Sequence, residues 1–172
     1  NEINNLSTIT AIQNHTFFRC SALRSVNIPS TVTMIGDGSF GMCDSHKSIS
    51  IPLGVKIINS SAFSECKSLE EISIPSSVTE IKRFAFYGCC SLKNIEIPPN
   101  ITVIEKCVFE YCSSLKKLKI PPSVTSIEDG AFDNCSLLKE IIIPPSVKHV
   151  PQNLFISCGS LMQITIPSSI DN

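Results

Sequence analysis

The chain has 172 residues, of which 42% are hydrophobic and 17% charged, and its 14 Lys+Arg against 15 Asp+Glu leave a formal net charge of −1. This is the composition of a folded chain, with neither the basic excess of a nucleic-acid binder nor an acidic tail. No stretch approaches the ~18 consecutive apolar residues of a membrane span, and the opening NEINNLSTIT has neither the basic nor the apolar region of a signal peptide.

In chain order, the first strand candidate is Ile3-Asn4-Asn5, and the pattern then recurs every 23 residues without insertion or deletion. Ile-Pro falls at Ile28-Pro29, Ile51-Pro52, Ile74-Pro75, Ile97-Pro98, Ile120-Pro121, Ile143-Pro144 and Ile166-Pro167. Seven of the nine Phe residues share one phase (Phe17, Phe40, Phe63, Phe86, Phe109, Phe132, Phe155), and seven of the nine Cys residues sit three places later, from Cys20 to Cys158. A Leu column (Leu23, Leu69, Leu92, Leu115, Leu138, Leu161) and an aliphatic column (Val26, Ile49, Ile72, Ile95, Leu118, Ile141, Ile164) follow. A unit this short cannot bury its apolar face alone. About seven coils stacked in register would turn each column into an internal ladder, and so predict a solenoid.

Within each unit the pattern changes twice. Ile95-Glu96-Ile97 alternates as a strand with its isoleucines inward. Pro98, with fixed φ and no N–H, ends it. Val124-Thr125-Ser126-Ile127 and its equivalents predict a second, shorter extended segment on the opposite side. Phe-x-x-Cys-x-x-Leu spaces apolar residues by threes, as in a 3₁₀ or single α turn, so little regular helix is expected.

These columns resemble the leucine-rich repeats of BspA-like proteins, most clearly in IPSSVTEIKRFAFYGCCSLKNIEIP from Ile74 and IPPSVTSIEDGAFDNCSLLKEIIIP from Ile120. The resemblance covers the whole chain and implies a right-handed leucine-rich repeat solenoid with a parallel sheet on its concave side. It also implies protein recognition, since family members are often surface proteins implicated in adhesion to host matrix proteins and other cells. An intracellular scaffold or regulatory subunit is the alternative. Residues 1–172 read as a single solenoid domain, a piece of a longer array that is monomeric or weakly dimeric end to end. Localisation stays open between surface, by resemblance, and cytoplasm.

The second unit departs from the pattern. His46 stands in the Leu column and PLGV replaces PSSV. Burying an imidazole there costs on the order of 2–5 kcal/mol, which predicts local repacking or an outward swing. The cysteines lack zinc spacing and read as buried free thiols filling the core, with Cys90 as the candidate for oxidation. No metal or cofactor is expected. A catalytic Cys43–His46 pair is conceivable, but a core thiol beside an irregular turn is the preferred reading, and no other enzyme motif occurs. Five Asn-x-Ser/Thr sequons, at Asn5, Asn14, Asn59, Asn100 and Asn134, are no more than Ser/Thr abundance supplies.

The outward strand positions are therefore the candidate partner-binding residues: Glu71, Ser73, Asn94, Glu96, Lys117, Lys119 and Glu140, on a face completed by Ser25, Asn27, Ser48, Ser50, Ile142, Gln163 and Thr165. Beside them runs an edge column, Arg24, Lys47, Glu70, Lys93, Lys116, Lys139 and Met162, basic in five of seven rungs. Like charges one rung apart repel, so carboxylates such as Glu71 and Glu140 are expected to compensate. Lys116, Lys117 and Lys119 form the densest basic point. With aromatics nearly absent from this face, single-stranded nucleic acid is a poor fit.

Overall fold

The computed structural model describes residues 9–168; the Ile3-Asn4-Asn5 strand candidate lies outside them. Ten short strands are present: β1 (Ala11–Ile12), β2 (Met34–Ile35), β3 (Ser48–Ser50), β4 (Ile57–Ile58), β5 (Glu71–Ser73), β6 (Glu80–Ile81), β7 (Val103–Ile104), β8 (Ser126–Ile127), β9 (Glu140–Ile142) and β10 (Gln163–Thr165). All pair in parallel, and every registered pair is one repeat apart: Ile12 with Ile35, Ile49 with Ile72, Ile104 with Ile127, Ile141 with Ile164. The chain is a β-solenoid, one coil per repeat.

Two strand faces result. The Val-x-x-Ile segments form a four-stranded sheet, β1-β2-β4-β6, followed by β7-β8. The segments before Ile-Pro form β3-β5 and β9-β10. In β3, β5 and β9 the middle isoleucine is buried and its neighbours are exposed, as the alternation predicts. After each strand the chain turns on its proline, with Val78 N–H donating to the Pro75 carbonyl and Val124 N–H to that of Pro121.

This second face is less continuous than the sequence suggests. Residues 94–96 and 117–119 form no strands; they are joined only by single bridges, Glu71 to Asn94 and Lys117 to Glu140. The edge bonds are longer here, from 2.8 Å for Glu70 N–H to the Lys47 carbonyl to 3.5 Å for Lys116 N–H to that of Lys93 and 3.4 Å for Lys139 N–H to that of Lys116. A three-residue rung holds few hydrogen bonds, so lengthening of this size opens it.

The Phe-x-x-Cys arc differs from the helical turn its spacing predicts. Its amides alternate between two partners. Phe63 N–H donates to the Ala85 carbonyl one coil on and Glu65 N–H to that of Tyr87, while the intervening Ser64 and the following Cys66 donate back three residues, to Ser61 and Phe63. The backbone reaches both sets by entering the left-handed region twice per coil. One column holds His15, Gly38, Ser61, Phe84, Cys107 and Gly130, and the other Arg19, Met42, Glu65, Gly88, Tyr111, Asn134 and Ser157, all with φ between 55° and 70°. Left-handed residues interrupt a 3₁₀ run, so no helix forms among the described residues.

Inside, the columns become ladders. The rings of Phe40, Phe63, Phe86, Phe109 and Phe132 are almost fully buried and nearly parallel, flanked by Leu69, Leu92, Leu115 and Leu138. Each buried Phe contributes about 1.5–3 kcal/mol of hydrophobic stabilisation. It does so only through its neighbours in the coils above and below.

Candidate functional site

The residues predicted to face outward do so: Glu71, Ser73, Asn94, Glu96, Lys117, Lys119 and Glu140 are all exposed, as are the edge residues Arg24, Lys47, Lys93, Lys116 and Lys139. They are held in rows by the buried isoleucines between them. Where the ladder opens, two grooves form on either side of Lys119. One, of about 340 Å³, has Leu118 and Ile141 on its floor and Lys117, Lys119, Glu140 and Ile142 on its rim. The other, of about 360 Å³, runs between Glu96 and Lys119 above Ile95, Ile97 and Pro121. Neither groove is legible in the repeat pattern, which is uniform here. Ile142, 64% exposed, is an aliphatic side chain where other rungs carry polar ones.

The charges arrange themselves differently from the expectation in one respect. The acid that neutralises the edge is Glu70, from the edge column itself, rather than Glu71. Its carboxylate pairs with Lys93 on one side and with Lys47 at 3.8 Å on the other. The Lys93 hydrogen bond and charge, with a smaller contribution from Lys47, hold the Glu70 carboxyl below its usual range, and Glu70 in turn raises Lys93. These are exposed pairs and stabilise little. Glu140 does compensate Lys117, at 3.8 Å. Lys116, Lys119 and Lys139 have no carboxylate within 4.0 Å among the described residues, so the open stretch keeps a net positive rim.

The cysteine ladder does more than fill space. From Cys43 onward each column thiol donates to the carbonyl of the Phe one coil and three residues earlier: Cys66 to Phe40 at 3.0 Å, Cys89 to Phe63 at 3.1 Å, Cys112 to Phe86 at 3.3 Å. Each such carbonyl also accepts the N–H of its own coil's Cys, as Phe40 does from Cys43 at 3.2 Å. Both lone pairs of a buried acceptor are thereby used by a donor small enough to fit. Burial raises these thiols, Cys43 to about 11 and Cys66 to about 12. Unfolded thiols ionise first as pH rises above 9.0, so this stability is full below 9.0 and is lost as pH climbs through the folded values.

All nine cysteines are free. Cys90 is half-buried as expected, and Cys20, a column member in the first described coil, is exposed. Native labelling with a thiol reagent is expected to modify Cys20 fast, Cys90 more slowly, and the ladder cysteines only on unfolding. Fast labelling of Cys66, Cys89 or Cys112 would contradict the stacking.

The Cys43–His46 pair does not form a catalytic unit. The Cys43 thiol donates a hydrogen bond to the Phe17 carbonyl at 3.1 Å, and burial pushes its pKa up to about 11, which keeps it a thiol. His46 has not swung outward. It is 2% exposed, edge-on to Phe40 with ring centroids 6.3 Å apart, and neither ring nitrogen makes a well-formed hydrogen bond. Burial lowers its pKa, and the Leu23 carbonyl offsets this only in part.

A family model described as the BspA type leucine rich repeat region matches residues 1–116 and 56–172, which together span the chain. The chain belongs to this family. Leucine-rich repeat solenoids of this kind are protein-interaction modules, and the fold implied by the sequence resemblance is the fold observed. Among solved structures, a leucine-rich repeat protein of T. pallidum is 32% identical with a TM-score of 0.75, covering 91% of this chain and 69% of that one. A leucine rich cell surface protein from Faecalibacterium prausnitzii is 31% identical with a TM-score of 0.71, covering 92% of this chain and 52% of that one. The pneumococcal vaccine antigen PcpA, 17% identical with a TM-score of 0.68 over 87% of this chain and 47% of its own, shares the fold. No match is found among functionally curated proteins.

Proposed function

We propose that this leucine-rich repeat solenoid acts without catalysis, as a recognition module that binds a protein partner at a cell surface through the 48–165 strand face. The observation that carries this reading is the row of exposed polar side chains fixed over buried isoleucines and opening into grooves beside Lys119, which offers many weak contacts on a rigid frame. The likeness to a bacterial cell surface protein at 31% identity supports the surface setting. The nine free thiols favour the second reading, an intracellular scaffold in a reducing compartment. The buried ladder thiols are shielded in either compartment.

Charge reversal tests the face. Lys117→Glu combined with Lys119→Glu is expected to weaken binding to matrix-protein ligands at least about tenfold while leaving the melting temperature within a degree or two, because both side chains are solvated and rim charges act mainly on encounter. Unchanged binding by the double variant would exclude this part of the face.

A further inference from the structure

The aromatic side chains of the middle coils that lie outside the core gather in one place, on the Phe-x-x-Cys arc and away from the strand face. Phe84 meets Tyr87 edge-on with centroids 5.9 Å apart, and Tyr87 meets Tyr111 of the next coil edge-on at 5.6 Å. Tyr111 is 44% exposed, and Phe84 and Tyr87 are half-buried. None of the three belongs to the core cluster that the phenylalanine ladder builds.

Carboxylates surround this cluster. A Cβ placed on Gly88 would lie 2.8 Å from the Glu65 carboxyl carbon, so that carboxylate lies against the glycine between Tyr87 and Cys89. Glu110, the residue before Tyr111, lies near the Cys107 thiol, which donates to the Asp129 carbonyl at 3.7 Å; the Asp133 backbone carbonyl receives the Tyr111 N–H at 2.9 Å, and the Asp133 carboxylate accepts from the Asn134 amide at 2.9 Å. Lys67 lies 3.6 Å from Glu65. Glu110 and Asp133 have no cation within 4.0 Å among the described residues. After burial, the charges of Glu110 and Glu65 are the next causes raising the Tyr87 hydroxyl, so both carboxylates act on this ring.

Aromatic faces beside carboxylates of which only Glu65 has a lysine partner attract a cation that can also stack, and a guanidinium does both. We propose that the Phe84–Tyr87–Tyr111 cluster, with Glu65 and Glu110, docks an arginine-bearing segment of a protein partner. This second contact surface lies on a different arc from Lys117 and Lys119 and shares no residue with them. Its failure would leave the strand-face reading untouched, and the converse holds as well.

The chain carries its own probe. It has two tyrosines, Tyr87 and Tyr111, and no tryptophan, so intrinsic emission reports this cluster alone. Titration with a hexa-arginine peptide is expected to change that emission saturably, with a hexa-lysine peptide binding more weakly and a hexa-glutamate peptide not binding. Calorimetry on variants then separates stacking from charge. Tyr111→Phe keeps affinity, whereas Tyr111→Asn, which installs the residue that Asn134 supplies at the equivalent left-handed position, lowers it about fivefold or more. Glu110→Gln lowers it as well, with melting temperature unchanged. Equal affinity for hexa-arginine in Tyr111→Asn, equal binding of hexa-glutamate, or no saturation at millimolar peptide would each overturn the proposal.

Discussion

Phe86→Ala is expected to cost about 3–5 kcal/mol and to divide the solenoid into two unequal halves. Phe86 is fully buried, with the rings of Phe63 and Phe109 stacked on it at 5.6 and 5.8 Å. Removing it deletes two aromatic contacts from a stack in which each coil touches only the coils before and after it. A compact domain would relax around the cavity, whereas a one-dimensional stack transmits stability only through the damaged interface. Urea unfolding followed by circular dichroism should therefore move to lower concentration and broaden. Hydrogen exchange should show the coils on the two sides of residue 86 opening separately. The terminal member Phe155, only partly buried, should cost less when truncated in the same way.

His46→Leu is expected to stabilise the protein by about 2 kcal/mol at neutral pH and to remove an acid-sensitive step. The imidazole occupies a fully enclosed Leu position with neither nitrogen in a well-formed hydrogen bond, and Ser39 Oγ and Asp44 Oδ1 of the same coil are buried without partners. Leucine restores the column and leaves no orphan at that site. The folded ring has its pKa lowered from 6.5, chiefly by burial. The unfolded chain thus takes up the proton first. The stability of the wild-type chain is full above 6.5 and falls as pH drops through that value towards the lower folded one. Cys43 of the same coil stays a protonated thiol in that window. The difference between the two melting curves from pH 7 to pH 5 isolates His46. An identical pH slope in His46→Leu would contradict the burial of the neutral ring.

The period of 23 made most of the architecture legible in advance. Equal unit lengths force equal coils, and alternation about Ile49, Ile72 and Ile141 gave the right faces for Glu71, Ser73 and Glu140. What stayed hidden depends on contacts between coils or on conformations that no residue type enforces. The left-handed columns mix Ser61, Phe84, Cys107, Glu65 and Tyr111 with glycine, so the residue-level signal of a positive φ is diluted. The bond from Cys89 to Phe63 joins residues 26 apart, a separation set by one coil plus one turn. Glu70 looked like an interruption of a basic column; stacking puts it between Lys47 and Lys93, where it bridges both. The opening around Lys119 goes with sub-ångström lengthening of the edge bonds between coils, on which sequence alone is silent.

The candidate surface is likewise half legible. Exposure of Lys117 and Lys119 follows from the strand period, whereas the grooves beside them follow from the broken ladder. Partner choice rests on how those exposed side chains and the exposed Ile142 combine, and a repeat scaffold leaves that free.

Compartment decides which partners this face can meet, so the most direct test is labelling of intact source cells with an antibody raised against this chain. Staining of unpermeabilised cells, competed by free protein, is the result expected of a surface recognition module. Staining that appears only after permeabilisation would contradict the surface role and direct the search to an intracellular partner.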